Sequence, residues 1–186
     1  MKISIPENIT EITLAQYQEY YKLLERDDLS EHDINLRKIK IFAGLNQSQV
    51  QMISSKDYAE IVSLIDLALA KEAVFNPLFA IGDVEFGFIP NLDEISTAEY
   101  LDITKYEGKI DELHRLMAIL FRPIKKKDVL GNYSIVDYKG TDNYANVMKQ
   151  MPLSAVNGGM VFFSSLGNEL VSYTSRYSKT ELAREK

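Results

Sequence analysis

Residues 78–89 read LFAIGDVEFGFI, and this stretch decides the fold class. Two apolar, aromatic-rich runs flank Gly82-Asp83, which is the pattern of a β-hairpin closed by a short turn. Pro90 ends the second run, and residues 91–96, NLDEIS, lead into a helix start where Ser96 and Glu99 stand at capping-box spacing. A small hairpin near residues 78–89 therefore interrupts a chain that reads as helical on both sides, and the fold class expected is mainly α (α+β).

Upstream, Thr13 and Gln16 form another capping-box pair, and Leu14, Tyr17, Tyr21 and Leu24 follow on one helical face. Ser30 opens a second helix that carries Leu36, Ile39 and Phe42 until Gly44 stops it. A helical turn is expected near Gln47 to Ile53. The next helix, from about Ser55 to Glu72, has a broad apolar stripe made of Tyr58, Ile61, Val62, Ile65, Ala68 and Leu69.

Downstream, Leu113, Leu116, Met117, Leu120 and Phe121 mark the buried face of a helix over roughly 109–121, which Pro123 should end near Arg122. Lys125, Lys126 and Lys127 then read as a solvated loop and YSIVDY, 133–138, as a strand. Thr141 is placed to cap a short helix bearing Tyr144, Val147 and Met148. Pro152 suits the first turn of a long, buried C-terminal helix carrying Val156, Met160, Phe163, Leu166, Leu170 and Tyr173. Gly158, Gly159 and Gly167 each weaken that helix by about 1 kcal/mol relative to alanine, so close packing against another backbone is the expected reason for them. One domain, 1–186, is expected because no linker divides it; the finer reading separates helical residues 1–72, a mixed part 73–178 and a frayed tail 179–186.

The chain has 186 residues, no cysteine, and a net charge of −6 from 21 basic and 27 acidic residues. Nucleic acid is not an expected partner, since binding it needs a cationic footprint. Disulfides, thiolate metal sites and thiol nucleophiles are excluded. The opening MKISIPENITEI lacks the apolar core of a secretory signal, and polar residues break the apolar stretch 155–171 before it reaches the ~20 residues that span a bilayer. No membrane association is expected.

Catalytic patterns are missing. His32 and His114 do not lie in a metal-binding spacing, and there is no phosphate-cradling GxxxxGK[ST] loop or GxSxG nucleophile elbow. Asp93, Glu94, Glu99 and Asp102 gather at one hairpin-to-helix junction, where paired carboxylates can hold a divalent cation or act as acid and base. The helix dipole favours acids in a first turn without any such role. The expectation is a non-enzyme with no metal and no cofactor; a carboxylate-based metal-dependent enzyme is the minor alternative.

Eleven tyrosines and eight phenylalanines point instead to protein interfaces, where aromatics bury a large area at low entropy cost. Most are expected in the domain's own core. Tyr17, Tyr20 and Tyr21, with Phe75 and the hairpin aromatics Phe79, Phe86 and Phe88, are the candidates for an exposed surface.

Several segments together resemble a group of tailed-bacteriophage proteins labelled tail assembly chaperones or structural proteins: ITEITLAQYQEYYKLLE, FAGLNQSQVQMISSKDYAEIVSLID, FGFIPNLDEISTAEYLDI, LHRLMAILFRPI and MPLSAVNGGMVFFSSLGNELV. The likeness runs from about Ile9 to Tyr173. It implies a virion morphogenesis protein acting in the host cytoplasm, either a chaperone that shields tape-measure segments until tail-tube subunits polymerise, or a permanent connector, baseplate or packaged cargo protein. The resemblance supplies no catalytic residues. Its segments make Phe86, Phe88, Ile89, Pro90 and Asn91 at the hairpin exit, with Arg122, the further candidates for partner binding beside Tyr17, Tyr20 and Tyr21.

Overall fold

The computed structural model describes residues 3–72 and 74–161. Four helices come first: α1 (Leu14–Leu24), α2 (Glu31–Ala43), α3 (Gln47–Gln51) and α4 (Ser55–Leu69). The first three are closed at their N-termini by capping boxes, Thr13 with Gln16, Ser30 with Asp33, and Asn46 with Gln49. Each box satisfies two backbone donors that the first helical turn would otherwise leave open. Gly44 ends α2 at φ 64°, a left-handed position that costs a glycine nothing.

The hairpin follows as β1 (Leu78–Ile81) and β2 (Val84–Phe88), antiparallel, with Ile81 opposite Val84. Of the turn residues only Gly82 has positive φ, the pattern of a type II′ turn. Phe79 and Phe86 sit directly across the pair with rings stacked 5.5 Å apart, a cross-strand contact that fixes the register.

The chain then leaves the sheet through α5 (Thr97–Tyr106) and α6 (Leu113–Leu120) before returning as β3 (Phe121–Lys127) beside β2, with β4 (Tyr133–Ile135) outside it. The helix expected over 109–121 is thus shorter. A 3-10 turn at Ile110–Glu112 precedes α6, and the chain turns extended at Phe121. The expected lysine loop is corrected as well, because Lys125, Lys126 and Lys127 lie on β3. Two features hide a strand here. Pro123 lacks an N–H, but its carbonyl, and therefore the side of the strand its nitrogen faces, points to Val136 just past the end of β4. No ladder bond is lost towards β2. Lys125 then forms a bulge between the pairs Ile124–Ile135 and Lys126–Ser134, which breaks the period-two pattern.

Residues 148–153 stitch the two ends together. Leu14 N–H donates to the Met151 carbonyl, Ala15 N–H to that of Lys149, and Leu153 N–H to that of Ile12. The short α7 (Ala145–Met148) precedes this seam. Its expected cap is corrected: the Thr141 carbonyl opens the turn, while the Thr141 hydroxyl accepts from Arg115. One hydrophobic cluster runs from Ile9 to Val156 and draws on α1, α2, α4, the sheet, α5, α6 and residues 153–156.

Pro152 directly precedes a helical segment, residues 153–161, with Leu153, Ala155 and Val156 buried. The rest of the long C-terminal helix expected from the sequence, with Phe163, Leu166, Gly167, Leu170 and Tyr173, lies outside the described residues, as does the tail 179–186. Close approach does explain the two glycines within it. A Cβ on Gly158 would meet the Phe75 backbone at 2.8 Å, and one on Gly159 would meet the Phe121 ring at 3.0 Å. Gly158→Ala should therefore destabilise the protein by about 1–3 kcal/mol, overriding the roughly 1 kcal/mol that alanine adds to a helix. Urea unfolding checks this; a stabilised variant would contradict the packing.

Candidate protein-binding surface

The residues singled out from the sequence separate into two groups. Phe86, Phe88 and Ile89 are buried, Phe86 and Phe88 within a ring cluster: Phe88 stands edge-on to Phe121 at 5.0 Å and to Phe75 at 5.3 Å, and Phe79 meets Phe121 at 5.2 Å. Their side chains build the core and are not open to a partner. Pro90 and Asn91 are exposed at the mouth of a cleft of about 300 Å³ that also involves Pro77, Leu92 and Tyr133. Tyr17, Tyr20 and Tyr21 are half-buried on α1, where Tyr20 packs edge-on against Phe42 of α2. No ring contact among the described residues joins these tyrosines to the hairpin cluster.

Arg122, the remaining candidate, is buried too and lies on β3. Its Nη2 donates to Glu99 Oε1 at 2.6 Å, with both side chains less than a tenth exposed, and its guanidinium lies 5.7 Å from the Tyr138 ring centre. The other Glu99 oxygen accepts from the Ser96 N–H and hydroxyl. One carboxylate therefore caps α5 and ties it to the sheet. The Arg122 Nε has no hydrogen-bond partner among the described residues.

The four acids of the hairpin-to-helix junction are not brought together. Glu99 is held by Arg122, Asp102 accepts from the Tyr138 hydroxyl, and Asp93 and Glu94 point to solvent. Among the described residues no group of three or more potential ligands converges. Burial, then the hydrogen bond and charge of Asp102, push the Tyr138 phenol well above its ordinary value of 10.0. The neutral phenol is the form the fold favours. Its contribution is complete below pH 10 and is lost as pH rises through the raised value. In an ultraviolet titration, the tyrosine missing from Tyr138→Phe should be one of the last to ionise, and Asp102→Asn should bring it down. Ionisation together with the exposed tyrosines would contradict the contact.

Near α6, Arg115 reaches Asp142 at 2.7 Å and Glu112 at 2.9 Å beside a polar cleft. His114 receives a contact from Gln18 at 3.3 Å, and burial followed by nearby Lys149 lowers its pKa. These polar groups are engaged with one another in ways that serve the fold.

An open apolar groove lies elsewhere. The N-terminal segment Ile3–Glu7 runs beside the outer face of α4 and is pinned there by Lys71, whose Nζ donates to the Glu7 carbonyl at 2.8 Å. Between them lies a groove of about 880 Å³ walled by Ile3, Ile5, Leu64 and Leu67. Ile61, Ile65 and Ala68 fill the inner face of α4, so Leu64 and Leu67 are left 42% and 61% exposed. Exposed apolar residues that stand together mark interaction sites more often than those scattered singly. In the sequence the inner stripe alone accounts for the helix, and the two leucines off that stripe are the signal for this face.

Compared with protein-family models, curated proteins and solved structures, the chain matches none of them. Among the described residues no helix is long and apolar enough to cross a membrane.

Proposed function

We propose that this chain is a non-catalytic tailed-bacteriophage assembly protein that binds an apolar segment of a morphogenesis partner, with the tape-measure or tail-tube protein as first candidate, in the host cytoplasm. The observation that carries the reading is the groove walled by Ile3, Ile5, Leu64 and Leu67. It lies between α4 and the N-terminal segment, is lined mainly by apolar atoms and is open, which suits a helical or extended peptide stretch. The charged groups at the hairpin-to-helix junction support the same reading, because buried Glu99 and Arg122 and part-buried Asp102 are taken up in linking α5 to the sheet and to Tyr138.

A second form of this reading makes the chain a permanent connector, baseplate or cargo component. The exposed aliphatic pair Val129 and Leu130 at the tip of the β3–β4 hairpin favours it, since such a projection suits a lasting contact. Quantitative mass spectrometry of purified particles beside infected-cell lysate separates the two. A fixed copy number in the particle supports the permanent component, and abundance in lysate with absence from particles supports the chaperone. Co-expression with tape-measure and tail-tube proteins should yield a complex; failure to co-purify with any morphogenesis protein would refute both.

A further inference from the structure

Residues 128–132, DVLGN, join β3 to β4, and Asp128 organises the whole turn. Its Oδ1 accepts from the Leu130 and Asn132 N–H groups at 2.9 Å each, and its Oδ2 from Asn132 Nδ2 at 2.8 Å. Its own N–H donates to the Asn132 carbonyl, and its carbonyl accepts from the Gly131 N–H. This network holds two aliphatic side chains outward: Val129 is fully exposed and Leu130 is 84% exposed. Behind them stand Lys125, Lys126 and Lys127. Lys127 pairs with Glu85 at 2.6 Å, whereas Lys125 and Lys126 make no ion pair among the described residues. A preordered tip carries little ordering cost on docking.

The outer face of α4 is its counterpart. Asp57, Glu60, Leu64 and Leu67 recur at spacings of three and four and are all exposed, so acids give way to leucines along one line. The hairpin presents lysines giving way to aliphatics. The rest of the sequence is net acidic as well: 21 basic residues less these three lysines leave 18 against 27 acidic ones. The complement of the basic, apolar-tipped hairpin is therefore present on the chain itself.

We propose that the β3–β4 tip docks into the α4 groove of a second copy of this chain, with Val129 and Leu130 against Leu64 and Leu67, and Lys125 and Lys126 facing Asp57 and Glu60. This rests on the reading of the groove as a protein-binding site and names its first occupant. Tip and groove are different patches, so the contact is heterologous, and a copy bound through its tip still offers its groove. The charged part of the contact weakens with salt.

Light scattering on the purified full chain over a concentration series tests the proposal without any phage component present. The average mass should rise above monomer, and Leu130→Asp or Leu67→Asp should each raise the dissociation constant at least about tenfold, as expected for a central apolar anchor. Mixed together, the two variants should pair, because one keeps an intact groove and the other an intact tip. A second tip variant, Val129→Ser, changes only an exposed side chain and guards against misfolding of the groove variant. A monomer at every concentration, unchanged association of both tip variants, or failure of the mixture to pair would overturn it. A chain that stays monomeric yet captures a morphogenesis protein would overturn this inference and leave the proposed function standing. Self-association with no such capture would do the reverse.

Discussion

Arg122→Met is expected to lower the free energy of unfolding by about 3–5 kcal/mol, because it leaves the Glu99 carboxylate buried without its cation. For a chain of this size that corresponds to a fall in Tm of roughly 10 °C. Glu99→Gln should cost less than Arg122→Met, since a glutamine keeps an oxygen for the α5 capping box while the guanidinium still covers the Tyr138 ring. The double variant should recover much of the loss, because no unpaired charge stays inside. A coupling energy of zero in that double-mutant cycle would show that the pair is not the link between α5 and the sheet.

Phe121→Ala should cost a similar amount, about 3–5 kcal/mol. The ring is fully buried at the start of β3, within 5.2 Å of Phe79 and 5.0 Å of Phe88, and β1, β2 and residues 153–161 all close over it. A cavity there cannot collapse without moving several elements together. The same contact predicts a compensation. Gly159→Ala alone drives a methyl to 3.0 Å from the Phe121 ring, whereas in Phe121→Leu that ring edge is gone. The double variant Phe121→Leu/Gly159→Ala should be more stable than the sum of its parts, and urea unfolding of the four proteins measures the difference. Strict additivity would place the helix away from the ring.

What could be read from the sequence was local. Thr13 with Gln16 and Ser96 with Glu99 announce their helices because the cap and its partner lie three residues apart. The Gly82-Asp83 turn between aromatic runs marks the hairpin for the same reason. Gly158 signalled close packing through its cost in a helix, although its partner, the Phe75 backbone, came only with the structure. What stayed hidden depends on distant pairing. Glu99 and Arg122 are 23 residues apart and no periodicity relates them. β3 follows α6 without a linker, contains a proline and carries a bulge, so each local signal argued for a break instead of a central strand. The aromatics misled in a different way. Most aromatics were expected in the core, but nothing local told Phe86 and Phe88 from the exposed ones, and only the ring of neighbours around Phe121 placed them inside. The groove on α4 was legible in part, as Leu64 and Leu67 off the core stripe, but its other wall is formed by residues 3–7, some sixty positions earlier.

We propose that this chain meets its assembly partner through the outer face of α4. Affinity purification of the wild-type chain and of Leu67→Asp from phage-infected cells, with quantitative mass spectrometry of what each retains, is the decisive experiment. A tape-measure, tail-tube or other morphogenesis protein should be enriched with the wild type and fall at least about tenfold with a folded Leu67→Asp chain. Equal recovery by both chains, or enrichment of no morphogenesis protein by either, would contradict it.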